Sequence, residues 1–363
     1  MKKFRSLILL ILISTSILSY AQEGIFNSLT GKQLDSIQAI TVIPDSFDLF
    51  DSKILIEVTI ESDFKKLVKR KMKDEYQPAL LHYQLNDSLV SKRFIRIKPR
   101  GEFRKRYCSF PPIKLNFKKS GFMSYGVEEL EKMKMVTHCR SSKAYEAYIL
   151  KEYLIYQLFE LLTDKSFKSR LLRVKYMDTG RNDKITDSYA FVIEGAKKLA
   201  QRHNSILIKR ENLSQPYMDQ QHMDLVAMFE FMIGNTDWSI PGPHNMKLLK
   251  VLELEQPNPY PVPYDFDYCG LVDTEYAVPT EGLGIKDVKI RLYQGYCRAL
   301  EEYQPVIDKF LAKEQAMYDT INNFEYLGKR DKREMTYYME EFFRLIKRPK
   351  AFKNIAENTC KTE

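Results

Sequence analysis

The chain has 363 residues, 44% of them hydrophobic, with 57 Lys and Arg against 48 Asp and Glu and a formal charge of +9. That hydrophobic share excludes a disordered chain and fits one large or two coupled folded domains. The cationic excess falls from +9 to +6 when Lys2, Lys3 and Arg5 leave with a leader, so it permits an anionic partner, and nucleic acid is not expected as one.

Basic residues Met1-Lys2-Lys3-Phe4-Arg5 lead into an apolar run over 7–18 that ends in Ser19-Tyr20-Ala21. This is the pattern of a secretory signal peptide over residues 1–21. The run is too short for a comfortable membrane span, and no Cys follows it to carry a lipid. No later stretch is long and apolar enough to span either, so a periplasmic or extracellular protein with no stable membrane span after cleavage is expected. Five cysteines, Cys108, Cys139, Cys269, Cys297 and Cys360, have no spacing that suggests zinc. Two states are open for them: bridges Cys108–Cys139 and Cys269–Cys297 with Cys360 left on the tail, or buried thiols.

Residues 54–60 are dense in β-branched side chains and predict a strand. A basic helix follows, with Phe64, Leu67, Val68 and Met72 at helical spacing. Residues 80–85, 93–98 and 113–117 predict three more strands, the second and third alternating apolar with polar residues, and 133–137 another. Over 142–162 the stripe Tyr145, Ile149, Tyr153, Tyr156 and Phe159 predicts a helix. Residues 170–176 and 189–194 predict a strand pair joined through a polar turn, and 223–233 an apolar helix. A hairpin follows, with strands at 246–254 and 261–264 around Gln256-Pro257-Asn258-Pro259. Helices are expected at 288–300, 303–324 and 333–345. The fold class is α+β: residues 22–194 form a β-rich N-terminal lobe with the helix at 142–162, and 195–363 a mainly helical C-terminal lobe carrying an acidic loop and the hairpin.

The acidic residues carry the chemistry. Asp237 sits in Gly234-Asn235-Thr236-Asp237-Trp238, His244-Asn245 precedes the hairpin, and Tyr264-Asp265-Phe266-Asp267-Tyr268 follows it. Phosphoryl transfer needs a carboxylate to orient or deprotonate the acceptor, and oxygen ligands to hold magnesium against phosphate. The order helix, acidic loop, Asn, hairpin, Asp assigns the first task to Asp237 and the second to Asn245, Asp265 and Asp267, an order found in protein-kinase-like folds. His244 is open between a loop-stabilising residue, a ligand and a general base. In the β-rich half, Arg100 and Arg104 in Pro99-Arg100-Gly101-Glu102-Phe103-Arg104 offer bidentate grips for phosphate where no glycine-rich loop exists. Lys114 alternates with Ile113 and Leu115 and can contact phosphates, steadied by Glu146 or, preferably, Glu152. Glu194 falls where a hinge would present backbone groups to an adenine.

These residues resemble the CotH-type (spore-coat) atypical kinase-like family and, more distantly, HipA-like and lipid-kinase-like branches. The segments Arg100-Gly101-Glu102-Phe103-Arg104, Phe110-Pro111-Pro112, Val136-Thr137-His138-Cys139 and Gly234-Asn235-Thr236-Asp237-Trp238 also resemble uncharacterised exported proteins of Bacteroidetes-type bacteria. The resemblance spans 100–270. It implies a protein-kinase-like fold, with Asp237 as the catalytic-loop Asp, Asn245 and Asp265 as metal ligands and Lys114 as the phosphate-contacting Lys. The function it implies is an exported, metal-dependent phosphotransferase that uses ATP or another nucleotide with Mg or Mn to move a phosphoryl or nucleotidyl group to an exported protein or glycan. Two alternatives remain: a non-catalytic binding module of the cell envelope, and a metal-dependent hydrolase built on Asp237, His244, Asp265 and Asp267.

Overall fold

The computed structural model describes residues 49–50, 52–86, 89–117, 132–210, 212–253 and 258–362. The signal peptide expected over 1–21 lies outside the described residues. The first seven strands are β1 (Ile56–Ser62), β2 (Gln77–Asn86), β3 (Leu89–Pro99), β4 (Ile113–Asn116), β5 (Lys132–Val136), β6 (Ser169–Asp178) and β7 (Lys184–Ile193), and β1 shows most plainly the alternation of buried and more exposed side chains that sets a strand's faces. In space their order is β1-β2-β3-β4-β5-β7-β6, and the ring closes. The closing pair is parallel, from Ile56 opposite Leu172 to Ser62 opposite Asp178. Ile60, Ile97, Ile113, Met135, Val174 and Val192 meet in the barrel's apolar interior. A short helix, α1 (Phe64–Lys69), adds Phe64 and Leu67 to that cluster.

The closed barrel corrects the expected protein-kinase-like architecture. The strands do not form the β-sheet lobe of a two-lobe fold; they make a mixed seven-stranded barrel, followed by a helical C-terminal region. Its physical origin is the long hairpin β6–β7, paired from Ser169 opposite Ile193 to Asp178 opposite Lys184, which offers its β6 edge to β1 and its β7 edge to β5. Closure leaves the barrel itself no sheet edge among the described residues.

Two helices connect the barrel to the rest. A single turn and a half, α2 (Phe103–Tyr107), leaves β3, and α3 (Lys143–Glu160) follows β5. Helix α3 buries Ile149, Leu150, Leu154, Ile155, Leu158 and Phe159, far more than one stripe, because it packs against β6 and β7 and also against α6 (Leu300–Asn322). Beyond α4 (Ala196–Arg202) the chain forms a second sheet, in the order β10-β9-β8, from β8 (Ser205–Ile208), β9 (Met246–Val251) and β10 (Tyr260–Pro263). Between β8 and β9 runs α5 (Gln220–Ile233), and α7 (Lys329–Ile346) and α8 (Pro349–Glu357) close the helical region. No helix among the described residues is long and apolar enough to cross a membrane.

The helix expected over 288–300 does not form. Tyr293 is fully buried there, and the backbone bonds that a helix would supply come from the chain end, with Lys361 N donating to Gly295 O at 2.8 Å and Cys297 N to Lys361 O at 2.9 Å. A disulfide joins Cys297 to Cys360, and a second joins Cys108 to Cys139. The first corrects the expected Cys269–Cys297 pairing: Cys269 is a buried free thiol, and Cys297 lies 5.0 Å from Cys360 between Cα atoms.

Alkylation of the denatured, unreduced protein is therefore expected to label Cys269 alone; labelling of Cys360 would contradict the pairing. Replacing Cys297 and Cys360 with Ser should lower stability to denaturant by about 2–4 kcal/mol.

Candidate functional site

The acidic loop begins where α5 ends. Gly234, at φ 67°, takes the left-handed turn that stops the helix, and its amide bonds back to Phe231 O. The freed chain is then held from beneath: buried Glu230 accepts from Asn235 Nδ2 at 2.9 Å, and Asn235 Oδ1 accepts from Asp237 N at 3.0 Å. Burial raises Glu230 to about 8, so at neutral pH it is a protonated acid inside the fold.

The hairpin β9–β10 brings the next residues beside this loop. Met246 pairs with Pro263, and Tyr264 N donates to Asn245 O at 3.0 Å. Asn245 and Asp265 both adopt left-handed backbone, at φ 52° and 69°, a conformation that Asn and Asp tolerate better than other side chains with a Cβ. Asp265 N is fixed by the hydroxyl of Tyr156 at 2.9 Å.

Asp237, His244, Asn245, Asp265 and Asp267 all line one cleft of about 370 Å³, together with Arg100, Gly101, Glu102, Phe103, Arg104, Pro112 and Tyr268. His244 Nε2 meets Asp237 Oδ1 at 3.0 Å, and Asn245 Nδ2 donates to Asp237 Oδ2, also at 3.0 Å. Each Asp237 oxygen thus accepts one bond and keeps a further lone pair. Burial raises the Asp237 pKa, against the pull of His244.

Arg104 organises the floor. Its Nε donates to Asp267 Oδ2 at 2.7 Å and its Nη2 to Glu152 Oε2 at 2.7 Å, all three groups being buried. Tyr276 OH adds a bond to Asp267 Oδ2 at 3.0 Å. Burial lifts Glu152 to about 8, Arg104 offsetting only part of the cost and Asp267 and Asp265 adding to it. Asp267 is raised by burial as well. Asp265 moves the other way: burial pushes it up, but Arg100, Arg104 and Lys134 outweigh burial and hold it low.

Several predicted residues take different places. Arg104 is engaged by two carboxylates instead of facing the cleft as a phosphate grip, while Arg100 lines the cleft wall. Glu152 steadies Arg104, not Lys114, and Glu146 lies 3.4 Å from Arg173. Glu194 is buried against Arg202, with Oε2 accepting from Nη2 at 2.9 Å, and is not among the cleft-lining residues. Lys114 stands on β4 directly opposite Lys134 on β5. Lys134 is the residue that sequence reading passed over. Its Nζ lies 4.2 Å from the centre of the Tyr264 ring, and it feels both Asp265 and Arg100. Burial, with Arg100 adding to it, lowers its pKa to about 8. Its signal was in Met133-Lys134-Met135, the same alternation that singled out Lys114.

Glu152, Asp265 and Asp267 each offer a carboxylate oxygen, and these atoms lie within 4.8 Å of one another. Glu152 Oε1 is buried without a hydrogen-bond partner, an orphan that a cation or a proton would satisfy. An all-oxygen donor set of this charge suits Mg²⁺ or Mn²⁺, not a soft metal. The residues present therefore fit a hard divalent ion, with Asn245 Oδ1 as a further oxygen at the cleft.

Arg104→Met leaves two buried carboxylates without their shared cation and is expected to cost about 3–5 kcal/mol in denaturant unfolding; a loss below about 1 kcal/mol would contradict the pairing. Glu230 gives a pH test. Its folded pKa, about 8, is raised above the ordinary carboxylic value of 4.5, so the stability it contributes is full below that value and is lost as pH rises through about 8. Glu230→Gln should be more stable than the native protein at pH 8.5 and lose that advantage by pH 5; a difference in Tm that does not vary with pH would refute the assignment. Comparison with known proteins brings no family model and no curated sequence that matches the chain, so the chemistry of the cleft rests on its own residues.

Proposed function

We propose that the cleft transfers a phosphoryl or nucleotidyl group from a nucleotide such as ATP to an exported protein or glycan, with Mg²⁺ or Mn²⁺ held by Asp265 and Asp267 beside Glu152, and Asn245 offering a further side-chain oxygen. The supporting observation is the meeting of opposite charges in one small cleft: Asp237, Asp265 and Asp267 beside Arg100, with Lys134 close behind Asp265. Carboxylates alone repel phosphate, and cations alone do not activate an acceptor; phosphoryl transfer requires both within reach.

Each side chain then has a task. A bound divalent ion neutralises charge on the phosphate oxygens. Arg100 grips the transferred group with a planar fork. Asp237, its carboxylate fixed between His244 and Asn245, takes the proton of the acceptor hydroxyl as the acceptor oxygen bonds to phosphorus and the bond to the leaving oxygen of the donor breaks. Its burial suits that task, because a carboxylate raised above its ordinary pKa is a better base. Two disulfides support an oxidising compartment, and with it export.

One observation favours a second reading. The His244 side chain is 59% exposed at 3.0 Å from Asp237, placed where the pair can activate water, and this favours metal-dependent phosphoester hydrolysis.

With ATP and Mg²⁺ or Mn²⁺ the protein is expected to gain thermal stability, and Asp265→Asn to lose that gain. Asp237→Asn should keep the gain and lower turnover by about 10²–10⁴-fold. A gain in Tm that Asp265→Asn retains would refute the ligand assignment. Phosphate release from a phosphoester with no nucleotide present would select the hydrolytic reading.

A further inference from the structure

Strand register places three lysines in one row across the barrel wall. Lys98 on β3 is opposite Lys114 on β4, and Lys114 is opposite Lys134 on β5. Directly opposed residues share a face, and here it is the outer one, since Ile97, Ile113, Leu115, Met133 and Met135 turn inward. The next row adds Arg96 and Lys132, both paired with Asn116. Arg100 continues β3 to the cleft. Like charges directly opposite on a sheet are destabilising. None of the three lysines belongs to the barrel core, so the core does not itself require a cation at these positions.

Among the described residues the outer two lysines have partners and the middle one does not. Lys98 meets the exposed carboxylate of Asp74 at 2.6 Å and also sits over the Tyr76 ring, 5.0 Å from its centre. Lys134 lies on the Tyr264 ring and near Asp265, and Lys114 has no carboxylate within ion-pair distance among the described residues. Lys114 is depressed by burial and then by Lys132, Lys98 and Arg100, so the cations feel one another.

We infer that the row Lys98–Lys114–Lys134 is a rail for a chain of linked phosphates, laid from the outer wall to Arg100 and ending at Asp265. Adjacent strands are about 4.8 Å apart, so the rail spans about 10 Å, too long for a single phosphate and suited to a di- or triphosphate. The inference rests on the phosphotransfer reading and deepens it: the donor is a polyphosphate, either a nucleoside triphosphate or an inorganic chain, and not a monophosphate ester.

The test is calorimetric titration of the mature protein, without metal, with inorganic tripolyphosphate, ATP, inorganic phosphate and polyglutamate. Tripolyphosphate is expected to bind, and Lys98→Gln and Lys114→Gln each to weaken it by about tenfold. Lys114→Gln should melt no lower than the native protein, because it removes a like-charge contact without losing an ion pair; Lys98→Gln also gives up the exposed pair with Asp74 and should melt within a few degrees of the native protein. This controls for misfolding. ATP binding as tightly as tripolyphosphate, or more tightly, supports the rail in either case and tells which donor the base contacts favour. Inorganic phosphate or polyglutamate binding as tightly as tripolyphosphate would overturn the rail, as would tripolyphosphate binding that neither substitution changes. The two proposals fail separately: Asp265→Asn should leave metal-free tripolyphosphate binding intact. Lysine-dependent binding with no metal effect at Asp265 would sink the phosphotransfer reading, and an Asp265-dependent metal effect with lysine-independent binding would sink the rail.

Discussion

The fold and the cleft meet at one buried guanidinium. Arg104, from the short helix after β3, holds Glu152 of α3 and Asp267 of the turn after β10, each at 2.7 Å. Three segments far apart in sequence are thereby fixed to a single point between the barrel and the helical region. Burying an arginine between two carboxyl groups is costly, and apolar residues of like volume would stabilise such a junction at least as well. What the ion triad adds is direction. It fixes the side chain of Asp267, and so the turn that carries Asp265, to the barrel side of the cleft. Burial raises Glu152 and Asp267 together, the nearby Asp265 adds to both, and Arg104 offsets part of the cost.

From that point the electrostatics separate into two faces. On the helical side, Asp237 is set by Glu230 through Asn235, and is flanked by His244 and Asn245. On the barrel side stand Arg100 and the lysines of β3, β4 and β5. Asp265 lies between, its pKa held low by Arg100, Arg104 and Lys134 against burial, and so it stays ionised where a cation would need it. The left-handed backbone at Asn245 and Asp265 is a local strain of the kind that accumulates at working sites, and it is what turns both residues out of the hairpin end.

Much of this was legible in the sequence, for local reasons. Density of β-branched residues located β1, period-two alternation located β3 and β4, and the stripe from Tyr145 to Phe159 located α3, whereas the strand read from 189 begins earlier, at Lys184. Asp237, Asn245 and Asp265 came from their order around a hairpin, and the hairpin does place Asn245 beside Tyr264. What escaped was set by distant partners. Alternation fixes which way each strand faces but not its neighbour, so the parallel pairing of β1 with β6 that closes the barrel carried no local mark. Arg104 read as an exposed cation because its two carboxylates lie far along the chain. Residues 288–300 read as helix because nothing local announced that the chain end would take their backbone bonds. Lys134 differs: its alternation was visible, and only its distance in sequence from Asp265 concealed its role.

The proposed divalent cation would sit on the acidic turn, facing the cationic wall. Anomalous diffraction from crystals grown with Mn²⁺ and a non-hydrolysable nucleotide tests it most directly. The expected result is a manganese peak about 2.0–2.4 Å from a carboxylate oxygen of Asp265, with Asp267, Glu152 or Asn245 as a second protein ligand. A cleft with no manganese, or with manganese bound only outside it, would rule out a metal site on this turn.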